Sequence, residues 1–201
     1  MPPVPPSRLQ RWCSRHVGPL LLGLVFSLLA LLLPAGPVWA EFSGVDYTLT
    51  NQNEADFSGQ DLANTSFAGA SGRHANFAGA NLHGAILTQA AFPEANFRGA
   101  DLSGVLMDKV DFSGADFTGA NLSGVIASGS SFAGAIVTNA DFSDALLSSV
   151  IASGSNFSGA TVTGADFSDA LIDRADQRAL CREAEGTNPV TGVDTRLSLG
   201  C

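Results

Sequence analysis

The stretch Ala115-Asp116-Phe117-Thr118-Gly119-Ala120-Asn121-Leu122-Ser123-Gly124 writes one five-residue unit twice. The order is a small apolar residue, Asp or Asn, a large apolar residue, then two small or polar residues. Stepping outward from Phe117 by fives, the unit runs from Phe57 to Ile172. Of these 24 centres, 11 are Phe and six are Leu, with Met107, Val137, Val162 and Ile172 among the rest. Two residues before each centre, 16 positions are Ala and four are Val; one residue before, 12 are Asp or Asn. No insertion disturbs the phase. A period of five fits neither a helix face at 3.6 nor a strand at 2. It requires a turn in every unit, with two apolar sites pointing inward and three polar sites facing water.

The unit resembles the A-(D/N)-(L/F)-x-x repeat of the pentapeptide-repeat family. The resemblance covers residues 55–172 clearly and 41–54 loosely. It implies an all-β fold, a right-handed quadrilateral β-helix with four units per coil, stacked as solenoids are. Grouping the centres by 20 agrees with stacked coils: Phe57, Phe77, Phe97 and Phe117 share one face, and Leu62, Leu82, Leu102 and Leu122 the next. Gly72, Ala127 and Ala152 are gaps on the other faces, and Gln52 is a poor centre. About six coils are expected, roughly 29 Å tall at one strand spacing each. The expected organisation is a signal peptide over 1–40, an irregular first coil over 41–54, the β-helix over 55–173 and a helical cap over 174–201. A filled interior leaves no pore and no internal ligand.

Composition excludes several classes. The 201 residues carry a net charge of −9 with only 14% charged residues. Arg8, Arg11 and Arg15 stand in the first 40 residues without an acid, so the remainder carries −12. That charge opposes nucleic-acid binding, which needs clustered Lys and Arg, and opposes binding to an anionic membrane surface. The uncharged stretch Val17–Ala40, apolar from Leu20 to Leu33, reads as a secretory signal. Pro34, Gly36 and Pro37 break it, and Val38-Trp39-Ala40 fits cleavage after Ala40. The alternative is an uncleaved anchor, since the stretch is long enough to span a bilayer. There is no Arg pair, so the general secretory route is expected.

The outward Asp/Asn sites form a ladder, Asp61, Asn81, Asp101, Asn121 and Asp141, in which acid and amide alternate. Stacked acids would repel, and Asn can bond turn backbone, so the ladder reads as structural; metal binding is the alternative. On another face the same site becomes Ile86, Leu106, Ile126 and Leu146 at 20-residue spacing. Ile136, Ile151 and Leu171 depart likewise. An apolar stripe outside four coils marks a candidate partner-binding surface, unless the tail folds over it. His74 and His83 lack companions at metal-ligand spacing. No catalytic, cofactor-binding or metal-binding residue is assigned, and no cofactor is expected.

After Ile172 the period stops. Asp173 is placed to cap a helix over about Arg174–Glu185 ended by Gly186, with Ala175, Leu180 and Ala184 packing on the last coil. Asp194 is placed to cap a second helix. Removing the signal leaves Cys181 and Cys201, an even pair that in an exported chain points to a disulfide; a redox switch is the alternative. The segment Leu180–Gly192 with Asp194-Thr195-Arg196 and Ser198-Leu199-Gly200-Cys201 resembles the ending of thylakoid-lumen pentapeptide-repeat proteins. That resemblance implies a cyanobacterial chain sent to the thylakoid lumen or periplasm, and it implies no reaction. The expected function is a non-enzymatic scaffold with an unknown protein partner, no nucleic acid and no stable membrane insertion after cleavage, as a monomer or weak homodimer. The alternatives are an acidic DNA mimic that binds topoisomerase, like another branch of the family, and a metal-binding or enzymatic protein.

Overall fold

The computed structural model describes residues 45–201. The expected signal segment and its cleavage site lie outside the described residues. From Asp46 onward the chain repeats one local geometry every five residues: a bridge residue, an inward centre, a two-residue turn and an inward small residue. The described part of 41–54 follows it too, so Asp46 and Asn51 pair with Ser66 and Ser71 like every later rung. The geometry asks only for a turn and a backbone pair; at the irregular centre Gln52, the side-chain amide donates to Thr50 Oγ1.

Every turn but the one at Met107 closes by a bond across three residues, as where the Ala80 N–H donates to Phe77 O at 3.0 Å. Its third residue takes positive φ while its second does not, which is the type II pattern. All such positions from Leu49 to Asp169 have this sign. Glycine adopts it without steric cost, which explains the Gly that closes so many units. Residues with a side chain there, such as Asn64 and Asp144, take the same conformation.

Coils are joined at 20-residue steps by parallel bridges, from Asp46–Ser66 to Leu146–Asp166. The last pair lengthens into two strands, β1 (Ile151–Ala152) and β2 (Leu171–Ile172), with Ile151 opposite Leu171. Within one rung Phe77 N–H donates to Asn96 O at 2.7 Å, Gly79 N–H to Arg98 O at 2.9 Å, and Asn96 N–H back to Ala75 O at 2.9 Å. Stacking thus supplies the pairing that a lone coil lacks.

The interior is a continuous apolar column. Phe57, Phe77, Phe97 and Phe117 stack with ring centroids 4.8–4.9 Å apart. Burying each such side chain contributes about 1.5–3 kcal/mol. Where Val137 interrupts this file it is itself fully buried, between buried Phe132 and Phe142 on the flanking faces of the same coil. The glycine gap at centre 72 is also filled. A Cβ there would lie 2.4 Å from the Phe92 ring, so Gly72 is the space into which Phe92 leans. Ser130 replaces the small apolar residue of its unit and is fully buried. Its hydroxyl accepts Val110 N–H at 2.9 Å and donates to Met107 O, inserting itself into the turn of the coil below.

The tail carries α1 (Arg174–Glu183) and α2 (Thr195–Ser198). Leu180 and Ala184 are buried, whereas Ala175 is exposed. Asp173 stands at the N-cap position but makes no cap bond. Its carboxylate accepts Gly154 N–H at 2.8 Å instead, tying the helix start to the rod. The helix stops two residues short of Glu185, whose carbonyl accepts Gly164 N–H at 2.8 Å. Cys181 and Cys201 are joined, with Cα atoms 5.6 Å apart.

Candidate functional site

Because the centre and the small residue point inward, the bridge residue between them points out. The four faces therefore carry four outer ladders on one backbone. The expected polar ladder is built as hydrogen-bonded pairs. Asn81 Nδ2 donates to Asp61 Oδ1 at 2.9 Å, and Asn121 Nδ2 donates to Asp101 Oδ1 at 3.1 Å. Each member also accepts from the turn that follows it: Asp101 from Ser103 N–H at 3.0 Å, Asn121 from Ser123 N–H at 3.1 Å and Asp141 from Ser143 N–H at 2.9 Å. The amide thus does more than space the acids, since it bonds the acid one coil below. On a neighbouring face Asp56 works the same way. The Ser58 hydroxyl and N–H outweigh the opposing effect of burial and, with further help from the Asn76 amide, hold its carboxyl below the ordinary value.

The apolar ladder has the same bridges: Ile86 pairs with Leu106, Leu106 with Ile126, and Ile126 with Leu146. Leu106 is 39% exposed and its three companions are half-buried. None of the four offers a side-chain bond to the turn. Ser66 lies one rung below and Asp166 one rung above. Asp166 is buried. Its carboxylate accepts the Ser168 N–H and hydroxyl and, at 2.8 Å, the Thr191 hydroxyl of the tail. Burial acts to raise its carboxyl, and these three donors outweigh it and hold the group below its ordinary value. The tail is anchored close by. Asn188 is buried and its side-chain amide donates to the carbonyls of Asp144, Ala145 and Gly164. Ile136, Ile151 and Leu171 stand on other faces and are 42%, 43% and 59% exposed.

His74 stands apart from these ladders, whereas His83 donates its N–H to Asn81 Oδ1 of the polar one at 3.1 Å. His74 lies 3.7 Å from Glu94, which also holds Arg73, and His83 Nδ1 lies 2.9 Å from Ser103 Oγ. Among the described residues no three His, Cys, Asp or Glu side chains converge as metal ligands would. The Thr191–Asp166 and Asn188 contacts were beyond sequence reasoning. The one hint was the return of Asp at 166, after four apolar residues in the same file.

A profile of pentapeptide repeats matches eight copies in this sequence, over residues 53–89, 95–134, 128–164 and 140–176. The chain belongs to the pentapeptide-repeat family. Its four-sided coil is accordingly the right-handed quadrilateral β-helix of that family. A segment of 30 residues is 67% identical to the Arabidopsis thaliana thylakoid lumenal protein TL20.3, chloroplastic, covering 15% of this chain and 11% of that relative. The chain therefore spans only about a tenth of that relative's length. The crystal structure of a pentapeptide repeat protein from the Arabidopsis thaliana thylakoid lumen is 35% identical, over 72% of this chain and 90% of that one, with a TM-score of 0.46. The plasmid-mediated fluoroquinolone resistance protein QnrB1 is 22% identical over 71% of this chain and 88% of its own, with a TM-score of 0.41.

Proposed function

We propose that this protein is an exported pentapeptide-repeat scaffold of the thylakoid-lumen type. It binds a protein partner through the ladder Ile86–Leu106–Ile126–Leu146 and performs no reaction of its own. The observation that carries the reading is the ladder itself. At four consecutive rungs of one face, a site that in 12 of the 24 units holds Asp or Asn bonded to its turn holds Ile or Leu. Contiguous apolar surface of this kind commonly marks interaction. The match to TL20.3 and the likeness to a lumenal pentapeptide-repeat protein support the compartment. The basic start and apolar run before Ala40 support export through a cleaved leader over 1–40.

The test is affinity capture from a thylakoid extract with the mature chain and with its Leu106→Asp variant. One or more proteins retained by the parent and lost at least tenfold with the variant would support the ladder as the docking face. Equal capture by both, with the variant folded, would sink it. Fractionation that placed the chain in the cytosol would sink the compartment separately.

A further inference from the structure

The upper edge of the rod is only partly closed. In the coil below it, Val137 N–H donates to Asn156 O at 3.0 Å, Asn139 N–H to Ser158 O at 2.9 Å and Phe142 N–H to Thr161 O at 2.8 Å. The equivalent donors one coil higher are the N–H groups of Phe157, Gly159 and Val162. Among the described residues they have no acceptor, and the Ser155 and Ala160 carbonyls have no donor. The tail satisfies three other donors of this edge. Asp173 takes Gly154, Glu185 takes Gly164, and Ser198 Oγ takes Phe167 N–H at 3.0 Å. What remains is a cleft of about 640 Å³ between residues 157–163 and the α1 side chains Ala179, Leu180, Arg182 and Glu183, with Glu185 beyond. Its floor is slightly open. Phe157 is 6% and Ala160 8% exposed, where the same sites two coils below, Phe117 and Ala120, are 0% and 1%.

We infer that this edge receives an extended segment of a partner protein, which adds a partial further coil over residues 157–163. An unpaired strand edge recognises extended chain through main-chain hydrogen bonds, and alternate side-chain pockets set its specificity. Here three N–H donors present partial positive charge to the incoming carbonyl oxygens. Arg182, exposed at the rim and without a salt bridge among the described residues, reinforces that sign, while Glu183 and Glu185 lie on the same wall and disfavour an acidic segment. The rung beneath dictates the rest. A large apolar residue must lie over Phe157, a small one over Ala160 and a large one over Val162. The occupant is therefore an uncharged-to-mixed segment of the pattern large–x–x–small–x–large. The inference uses no part of the apolar ladder and stands or falls apart from it.

The probe is a synthetic peptide with the sequence of residues 95–104, Ala-Asn-Phe-Arg-Gly-Ala-Asp-Leu-Ser-Gly, which belongs to the same two faces. In register, its Asn, Arg and Asp carbonyls meet the Phe157, Gly159 and Val162 amides. Amide hydrogen exchange on the full mature chain reads those three positions directly. With peptide at about 1 mM, exchange at all three should slow at least tenfold, and the reversed-sequence peptide should not slow it. Ala179→Trp, or Thr163→Trp from the opposite wall, should weaken binding at least tenfold; Leu106→Asp should leave it unchanged. Protection of Phe97 and Phe117 amides confirms that each variant is folded. Three amides that exchange fast at that concentration overturn the inference. So do three amides already protected in the free chain, or equal action of the reversed peptide.

Discussion

The ladders at Asp61–Asp141 and Ile86–Leu146 stand on the same backbone, on adjacent faces of the same coils. One consumes its side chains in holding its own turns and its neighbours. The other contributes nothing polar to the rod. The difference separates what the fold demands from what it merely permits. Inward sites are fixed by packing, because a ring has to meet the ring above and below it. Outward sites need only a backbone pair, so a face can surrender its polar bonds and keep its shape. A surface that is free in this sense is available for selection by a partner.

Five substitutions break or sharpen this contrast. Phe97→Ala should remove both ladders together, because it opens the interior they share; a cost of about 3–5 kcal/mol in denaturant unfolding is expected. Mutating Cys181→Ser should cost about 3 kcal/mol under oxidising conditions, from the lost closure of the tail loop. A disulfide-linked fragment spanning both cysteines in non-reducing mass spectrometry checks the pairing. Asp166→Asn touches the rung that closes the apolar ladder and its bond to Thr191 of the tail, and should cost about 1–2 kcal/mol at neutral pH. The Asp166 carboxyl is held below its ordinary value, so its ionised form stabilises the fold. That contribution is complete above the ordinary Asp range near 3.9 and disappears as pH falls through the depressed value. The acid limb of stability against pH should therefore be shallower in the variant. The smallest effects decide the contrast itself. Replacing Asn121→Leu should cost about 1 kcal/mol, for it abandons Asp101 and the Ser123 turn. Ile126→Asn should change stability by under about 0.5 kcal/mol while weakening partner capture. Equal costs for the two would mean that the ladders contribute alike to stability and would remove the contrast.

The rod was legible from sequence because its constraint recurs. Each fifth residue meets an equivalent neighbour, so Phe and Leu at 57, 62 and 67 repeat the same statement. The exceptions were not legible, because they depend on how one side chain leans into the next coil. Gly72 looked like a poor centre and is the space for Phe92. Ser130 stands at a position that is mostly Ala and is a hydrogen-bonded insertion into the Met107 turn. Asp173 showed the composition of a helix cap, yet Gly154 N–H at the rod edge claims its carboxylate. The apolar ladder was visible as a file of residues at 20-residue spacing. The cleft above Phe157 was not, since it depends on which edge amides the tail leaves alone.

The bridges join residues that differ by 20 in number along the whole rod. Length is therefore quantised. Adding one residue between two units would turn every inward side chain above it out of the column. Adding five would keep the column but rotate all later faces by a quarter turn. Placed after Val125, such an insertion would leave Ile86 and Leu106 on one side and carry Leu146 around the corner. Only a whole added coil lengthens this protein and keeps its apolar file straight. Lineages in which that file matters should therefore differ from this chain by multiples of 20 residues within it, and lineages in which it does not should tolerate any multiple of five.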